Sequence, residues 1–172
     1  MSAMTAMANA TPTPQPEHQS LRWDCLPFDA LDVHTLYALL QLRSAVFVVE
    51  QRCAFLELDG ADAPCHHLLA RTPSGALWAC ARLVPAGLKY PEASIGRVVT
   101  APAARGLKLG HELMARACAE LARLWGEQPI RIGAQARLQG FYQGHGFVTV
   151  SEPYDEDGIA HVEMLYQPGD KA

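Results

Sequence analysis

The chain has 172 residues, 49% of them hydrophobic and 19% charged, the balance of one soluble globular domain and too little chain for two of ordinary size. Eighteen acidic against fourteen basic residues give a formal charge of -4 and a pI near 5.9, with no basic stripe of the kind nucleic-acid binders carry. No apolar run reaches the ~18 residues of a membrane span, and five cysteines without a CxxC pair favour reduced thiols in a cytoplasmic protein over a secreted disulfide scaffold.

Residues 1–19 are rich in Ala, Thr and Pro and lack hydrophobic periodicity, so they are expected to form a disordered tail ahead of a single domain spanning 20–172. Leu21 to Cys25 reads as a short strand. From Asp32, a plausible N-cap, Leu36, Leu39, Leu40, Ala45 and Phe47 are spaced to cover one face of a helix. A turn-rich loop from Glu57 to Pro64 follows. Next come strands at His67–Ala70 and Ala76–Val84, joined by the hairpin chemistry of Thr72-Pro73-Ser74-Gly75.

Ala93 to Thr100 suits a buried strand, and Leu109, Leu113, Ala117, Leu121 and Leu124 give a strong helix ending near Gly126. A strand at Ile130–Ala134, a short helix at Leu138–Gly144, and strands at Phe147–Val150 and Ile159–Tyr166 complete the order. Glu152, Asp155, Glu156 and Asp157 read as a solvated acidic loop. The whole is a mixed α/β domain with one helix-crossed, parallel strand pair.

The most informative stretch is the strand Val98-Val99-Thr100 and the turn Arg105-Gly106-Leu107-Lys108-Leu109-Gly110-His111 that opens the following helix. Glycine permits close backbone approach, and the first N–H groups of a helix have no intrahelical acceptor. Such a mouth holds a di- or triphosphate, reinforced by Arg105 and Lys108. The alternative is a glycine-bearing strand-to-helix loop with two solvated bases. Neither a Walker P-loop nor a GxGxxG fingerprint is present.

Arg105-Gly106-Leu107-Lys108-Leu109-Gly110 after a β-branched strand resembles the coenzyme-binding motif of the GNAT superfamily of N-acetyltransferases, with Lys108 where the middle motif glycine is expected. Gln135-Ala136-Arg137-Leu138, followed by Tyr142, Gly146 and Phe147, is similar to the family's later motif. Arg43, Phe47, Glu50, Gln51, Asp59, Asp62, His67, Gln135, His161 and Met164 together resemble its ElaA-type branch.

The resemblance implies the acyl-CoA N-acyltransferase fold, a central splayed mixed β-sheet flanked by helices. It implies acetyl-CoA as co-substrate, held by Val98, Val99, Thr100, the turn from Arg105 to His111, Gln135 and Tyr142, and an amine as acceptor. Tyr142 is the expected acid for the departing thiolate. Glu50 is the first candidate for the base, with Asp59, Asp62 and His161 in reserve, and Phe47, Asp59, Asp62 and His161 are expected on the acceptor side.

A lysine-like amine has a pKa of ~10.4, so making it neutral at pH 7 costs about 4.6 kcal/mol that a base or a desolvating site must offset. Two other readings stand beside this one: a coenzyme-binding module without turnover, and an acyl-homoserine-lactone-synthase-like acyltransferase suggested by Arg43, Phe47, Glu50, Asp59 and Asp62. Cys65-His66-His67 is not read as a metal site, because adjacent strand residues face opposite ways. Oligomeric state is left open, with a homodimer as one alternative.

Overall fold

The computed structural model describes residues 20–169, so the N-terminal segment expected to be disordered, residues 1–19, lies outside the described residues. The elements are Arg22–Pro27 (β1), Val33–Arg43 (α1), His66–Arg71 (β2), Leu77–Val84 (β3), Ser94–Thr100 (β4) and Leu109–Trp125 (α2). Ile130–Gln135 (β5), Gln139–Gln143 (α3), Phe147–Thr149 (β6), Tyr154–Glu156 (β7) and Ile159–Tyr166 (β8) follow.

Asp32 caps α1: its Oδ1 accepts the backbone N–H groups of His34 and Thr35, both at 2.9 Å. Beyond Arg43 the helix widens into π-type turns over Ser44–Glu50, where the N–H of Gln51 bonds the carbonyl of Val46 and that of Cys53 bonds Val48. Leu39, Arg43 and Val46, spaced four and three apart, form the buried face, and Ala45, expected on the covered face, is exposed.

β1-β2-β3-β4 form one antiparallel sheet, and β5-β8-β6 form another with β7 also on β8. β7 corrects the expectation of a loop here, although its three residues are exposed as a solvated segment would be. Asp157 and Gly158 have φ of 53° and 81°, the pair of left-handed residues that a tight hairpin turn requires, and they close β7 onto β8. The two sheets meet at one parallel bridge, Ala93 to Ile130, where the N–H of Arg131 donates to the carbonyl of Ala93 at 2.9 Å. Past that point β4 and β5 diverge, with α2 as the crossover between them.

α2 lies across both sheets. Leu109, Leu113, Met114, Ala117 and Leu121 bury one stripe against Leu68, Ala81, Leu83, Ile132, Val162 and Met164. Each fully buried large aliphatic side chain contributes about 1.5–3 kcal/mol. α1 covers the opposite face of the first sheet, with Leu39 and Val46 on Leu69 and Cys80.

β4 breaks the alternation that a strand imposes. Ile95 belongs to the α2 side and Val99 to the α1 side, although four residues apart they would share a face in a regular strand. The register accounts for this: Cys80 pairs with Val99 but Arg82 with Gly96, so Arg97 and Val98 together face Ala81 in a β-bulge. Arg97 takes φ of 50°, an uncommon value for a side chain of its size.

The loop between α1 and β2 is anchored by charge. Arg43, fully buried, donates from Nε to Glu57 and from Nη1 to Asp62 Oδ1 at 2.7 Å. Arg82 forms a two-pronged pair with Asp59 at 2.8 Å for each bond and also reaches Asp62. Arg97 donates to Glu57 and, at 3.2 Å, to Asp59. Three arginines and three carboxylates thus neutralise one another between α1, β3, β4 and the loop. Hydrogen bonds from Arg82 hold the Asp59 carboxyl well below the usual carboxylate range. Burial pushes Asp62 up, but the hydrogen bonds and charge of Arg43 outweigh it and bring the group down.

Glu57→Ala leaves buried Arg43 with Asp62 alone and takes a carboxylate from Arg97, and is expected to lower the unfolding free energy by about 3–5 kcal/mol in urea titrations. Wild-type stability should also fall in two steps on acidification. Burial keeps His67 neutral, so its contribution is present above the ordinary histidine value of about 6.5 and is lost below it. The depressed Asp59 and Asp62 contribute above about 4 and are lost as the pH drops further. An unfolding free energy unchanged from pH 7 to about 3 contradicts this.

Candidate active site

The diverging halves of β4 and β5 open a cleft. Gly96, Arg97 and Val98 of the bulged strand line one side, and Gly133 and Gln135 of β5 the other. Phe47 and Gln51 reach it from the widened end of α1, and Cys53 and Phe55 from the loop beyond. Tyr142 of α3, Lys89 of the β3–β4 connection, and Glu156, Ile159 and His161 of the β7–β8 hairpin also line it. Gln51 Oε1 accepts from Gln135 Nε2 at 3.0 Å, joining the two banks at one end.

Two polar side chains suit proton transfer. Tyr142 is 8% exposed, and burial pushes its phenol up to about 12, so at neutral pH it holds its proton. Its hydroxyl has no hydrogen-bond partner among the described residues. His161 Nδ1 lies 2.8 Å from the carbonyl oxygen of Ile159. A carbonyl only accepts, so Nδ1 carries hydrogen, and in the neutral ring Nε2 is left with its lone pair. Glu156 Oε2 is 3.9 Å from that nitrogen, and the Tyr154 ring stacks on the imidazole at 6.0 Å.

The glycine-bearing turn singled out from sequence follows β4 and leads into α2, and its residues do not themselves line the cleft. Gly106 has φ of 81°, and Lys108, the residue before α2, has φ of 59° and ψ of 17°. Lys108 therefore adopts the left-handed conformation that glycine would supply, and the backbone path is kept at the cost of local strain. Arg105 at this turn pairs with Glu50 at 2.8 Å, both side chains 44% exposed. His111 Nδ1 and His145 Nε2 are 3.0 Å apart beside Phe141.

Of the residues singled out from sequence, Phe47, Val98, Gln135, Tyr142 and His161 meet in this one cleft. Val99 points into the core under α1, and Thr100 pairs with Ala79. Glu50 does not line the cleft but lies on the turn arginine, and Asp59 and Asp62 are taken up by Arg43, Arg82 and Arg97. Sequence reasoning gave no site role to Cys53, Phe55, Lys89 and Arg97, and named Gln51 only within the branch pattern and Glu156 only within the acidic loop. The Asp157-Gly158 turn signal would have placed Glu156 on a hairpin opposite Ile159.

The five cysteines are free. Burial pushes Cys25, Cys65 and Cys118 up to about 11 and Cys80 to about 12, which leaves them protonated and unreactive at neutral pH. His66 packs edge-on against Trp125, while His67 hydrogen-bonds the carbonyl of Asp62.

The fold thus combines a strand pair that parts after one bridge, a bulge lining the gap and a left-handed turn leading into α2. The family model for an acetyltransferase (GNAT) domain matches residues 75–167, and the chain belongs to that family. It is 42% identical to Protein ElaA of Escherichia coli (strain K12) over 146 residues, covering 84% of this chain and 95% of that protein. Among solved structures, an acyl-CoA N-acyltransferase from Pseudomonas aeruginosa is 47% identical with a TM-score of 0.81, covering 85% of this chain and 99% of the other. Escherichia coli ElaA follows at 41% identity and a TM-score of 0.80, with coverage of 86% and 99%.

Lys108→Gly removes the left-handed strain, partly offset by the greater freedom of glycine in the unfolded chain. It should raise the unfolding free energy by about 0.5–1 kcal/mol in denaturant titrations; a loss of stability would show that Lys108 is not strained in this turn.

Proposed function

We propose that the protein transfers an acetyl group from acetyl-CoA to a primary amine by direct attack within a ternary complex. The observation that carries this reading is the convergence of a protonated tyrosine and a histidine with a free ring nitrogen on the gap between β4 and β5.

The coenzyme's diphosphate lies on the amides of the turn from Gly106 to His111, where the helix dipole favours anions. Its pantetheine arm runs along the edge of β4 that faces the cleft, adding backbone hydrogen bonds as an extra strand would. At the bulge, a backbone amide of the Val98–Thr100 stretch donates to the thioester oxygen and stabilises the tetrahedral oxyanion. The amine enters from the side of Phe47, Glu156 and His161.

His161 Nε2 takes the proton that the attacking nitrogen must lose, and Glu156 stabilises the imidazolium that results. As the carbon–sulfur bond breaks, Tyr142 gives its proton to the thiolate, and solvent returns the proton to the phenolate. Glu50, first in the sequence reading, serves less well as base because Arg105 holds its carboxylate outside the cleft. Asp59 and Asp62 are weaker bases still, since their arginine partners favour the ionised form. The left-handed Lys108 supports coenzyme binding, because the residue in the glycine position keeps the glycine conformation.

Acetyl-CoA should stabilise the protein by about 2.7 kcal/mol at a hundredfold excess over its Kd, read as a rise in Tm. In a thiol-release assay, Tyr142→Phe and His161→Gln should each lower kcat by about 10²–10⁴-fold while the coenzyme Kd changes little. Unchanged turnover in either variant removes that residue from the mechanism.

A further inference from the structure

The cleft holds a cation with no counter-ion. Lys89 sits in the connection between β3 and β4, where the N–H of Gly87 donates to the carbonyl of Tyr90 at 2.8 Å and Gly87 takes φ of 84° to close the turn. The Lys89 ammonium lies 5.1 Å from the centre of the Tyr90 ring, and the residue is exposed and lines the cleft. Among the described residues it makes no ion pair.

Two neighbouring arginines differ in this respect: Arg97 is held by Glu57 and Asp59, and Arg131 by Glu92 and Glu163. Arg137, which also lines the cleft, makes no ion pair among the described residues but is tied down by its bond to Gln135 Oε1. The surrounding protein costs the Lys89 ammonium part of its hydration, which lowers its pKa, and Glu156 offsets only part of that loss.

The opposite charge is also present. Among the described residues Glu156 makes one ion pair, with His161 at 3.9 Å, and its charge also acts on Lys89. Between these groups the wall is cut back: a Cβ on Gly133 would lie 3.1 Å from the Tyr154 hydroxyl and 3.2 Å from that of Tyr90. Two phenolic hydroxyls therefore converge on the β5 backbone beside an unmatched cation and a lightly matched anion.

Resting on the acyltransferase reading above, we propose that the acceptor is a small zwitterion, a free α-amino acid. Its carboxylate is taken by Lys89, and its ammonium is delivered to Glu156 and His161. The acetyl carbon gains a bond to the amino nitrogen and loses its bond to sulfur. The ammonium gives up two protons, the thiolate receives one, and one is released to solvent.

The test measures thiol release from acetyl-CoA with pooled amino acids, each beside its own α-carboxamide. The amide lowers the amine pKa and so favours attack, which makes any preference for the acid a property of the site. The acid should be preferred by about tenfold or more in kcat/KM. Lys89→Met should collapse that ratio towards one through the KM for the acid, and Lys89→Arg should restore part of it. Equal use of acid and amide by the wild type, or an unchanged ratio in Lys89→Met, overturns the role of Lys89 and leaves the acyltransferase reading standing. Absence of thiol release with every acceptor overturns both.

Discussion

The structure depends on a buried exchange of charge. Arg43 has no exposed surface, and a lone guanidinium there would cost several kcal/mol. Glu57 and Asp62 neutralise it, and to do so the turn-rich loop ahead of β2 must fold back over α1 and β3. Glu57 then has a second oxygen to offer, and Arg97 of the β4 bulge takes it. The contact that compensates the core arginine therefore also holds the bulge, and through it the backbone that faces the cleft.

The rest of the site follows from that placement. The bulge lets Ile95 and Val99 serve opposite cores while Gly96, Arg97 and Val98 are turned to the gap. With β4 committed to β3 on one edge, β5 joins it at Ala93 and Ile130 and then departs to pair with β8. The cleft is the space left by two sheets that share α2 but not a continuous hydrogen-bond ladder. Tyr142 and His161 arrive from different chain segments, α3 and β8, because both pack against β5.

Much of this was legible in the sequence where the pattern is local. The Asp32 cap, the stripe from Leu109 to Leu121, the Gly126 stop and the helix-crossed strand pair all follow from periodicity and turn chemistry. Tyr142 was found through the motif around it. Partner choice among charges was not legible. Asp59, Asp62 and Glu50 looked alike as acceptor-side carboxylates, and only the fold shows which arginine each one meets. A signal was present in Arg82 within Ala79-Cys80-Ala81-Arg82-Leu83-Val84, since an arginine in so apolar a strand needs an acid nearby. The π-type widening after Arg43 and the bulge at Arg97 have no such mark, because both are set by what packs against them.

The central claim is that the gap between β4 and β5 is where coenzyme and acceptor meet. A crystal structure with acetyl-CoA bound tests it most directly. The account predicts the diphosphate on the amides between Gly106 and His111, the pantetheine arm along β4, and the thioester sulfur within hydrogen-bond reach of the Tyr142 hydroxyl. A coenzyme seated elsewhere, or a sulfur remote from Tyr142 with the cleft unfilled, would contradict it.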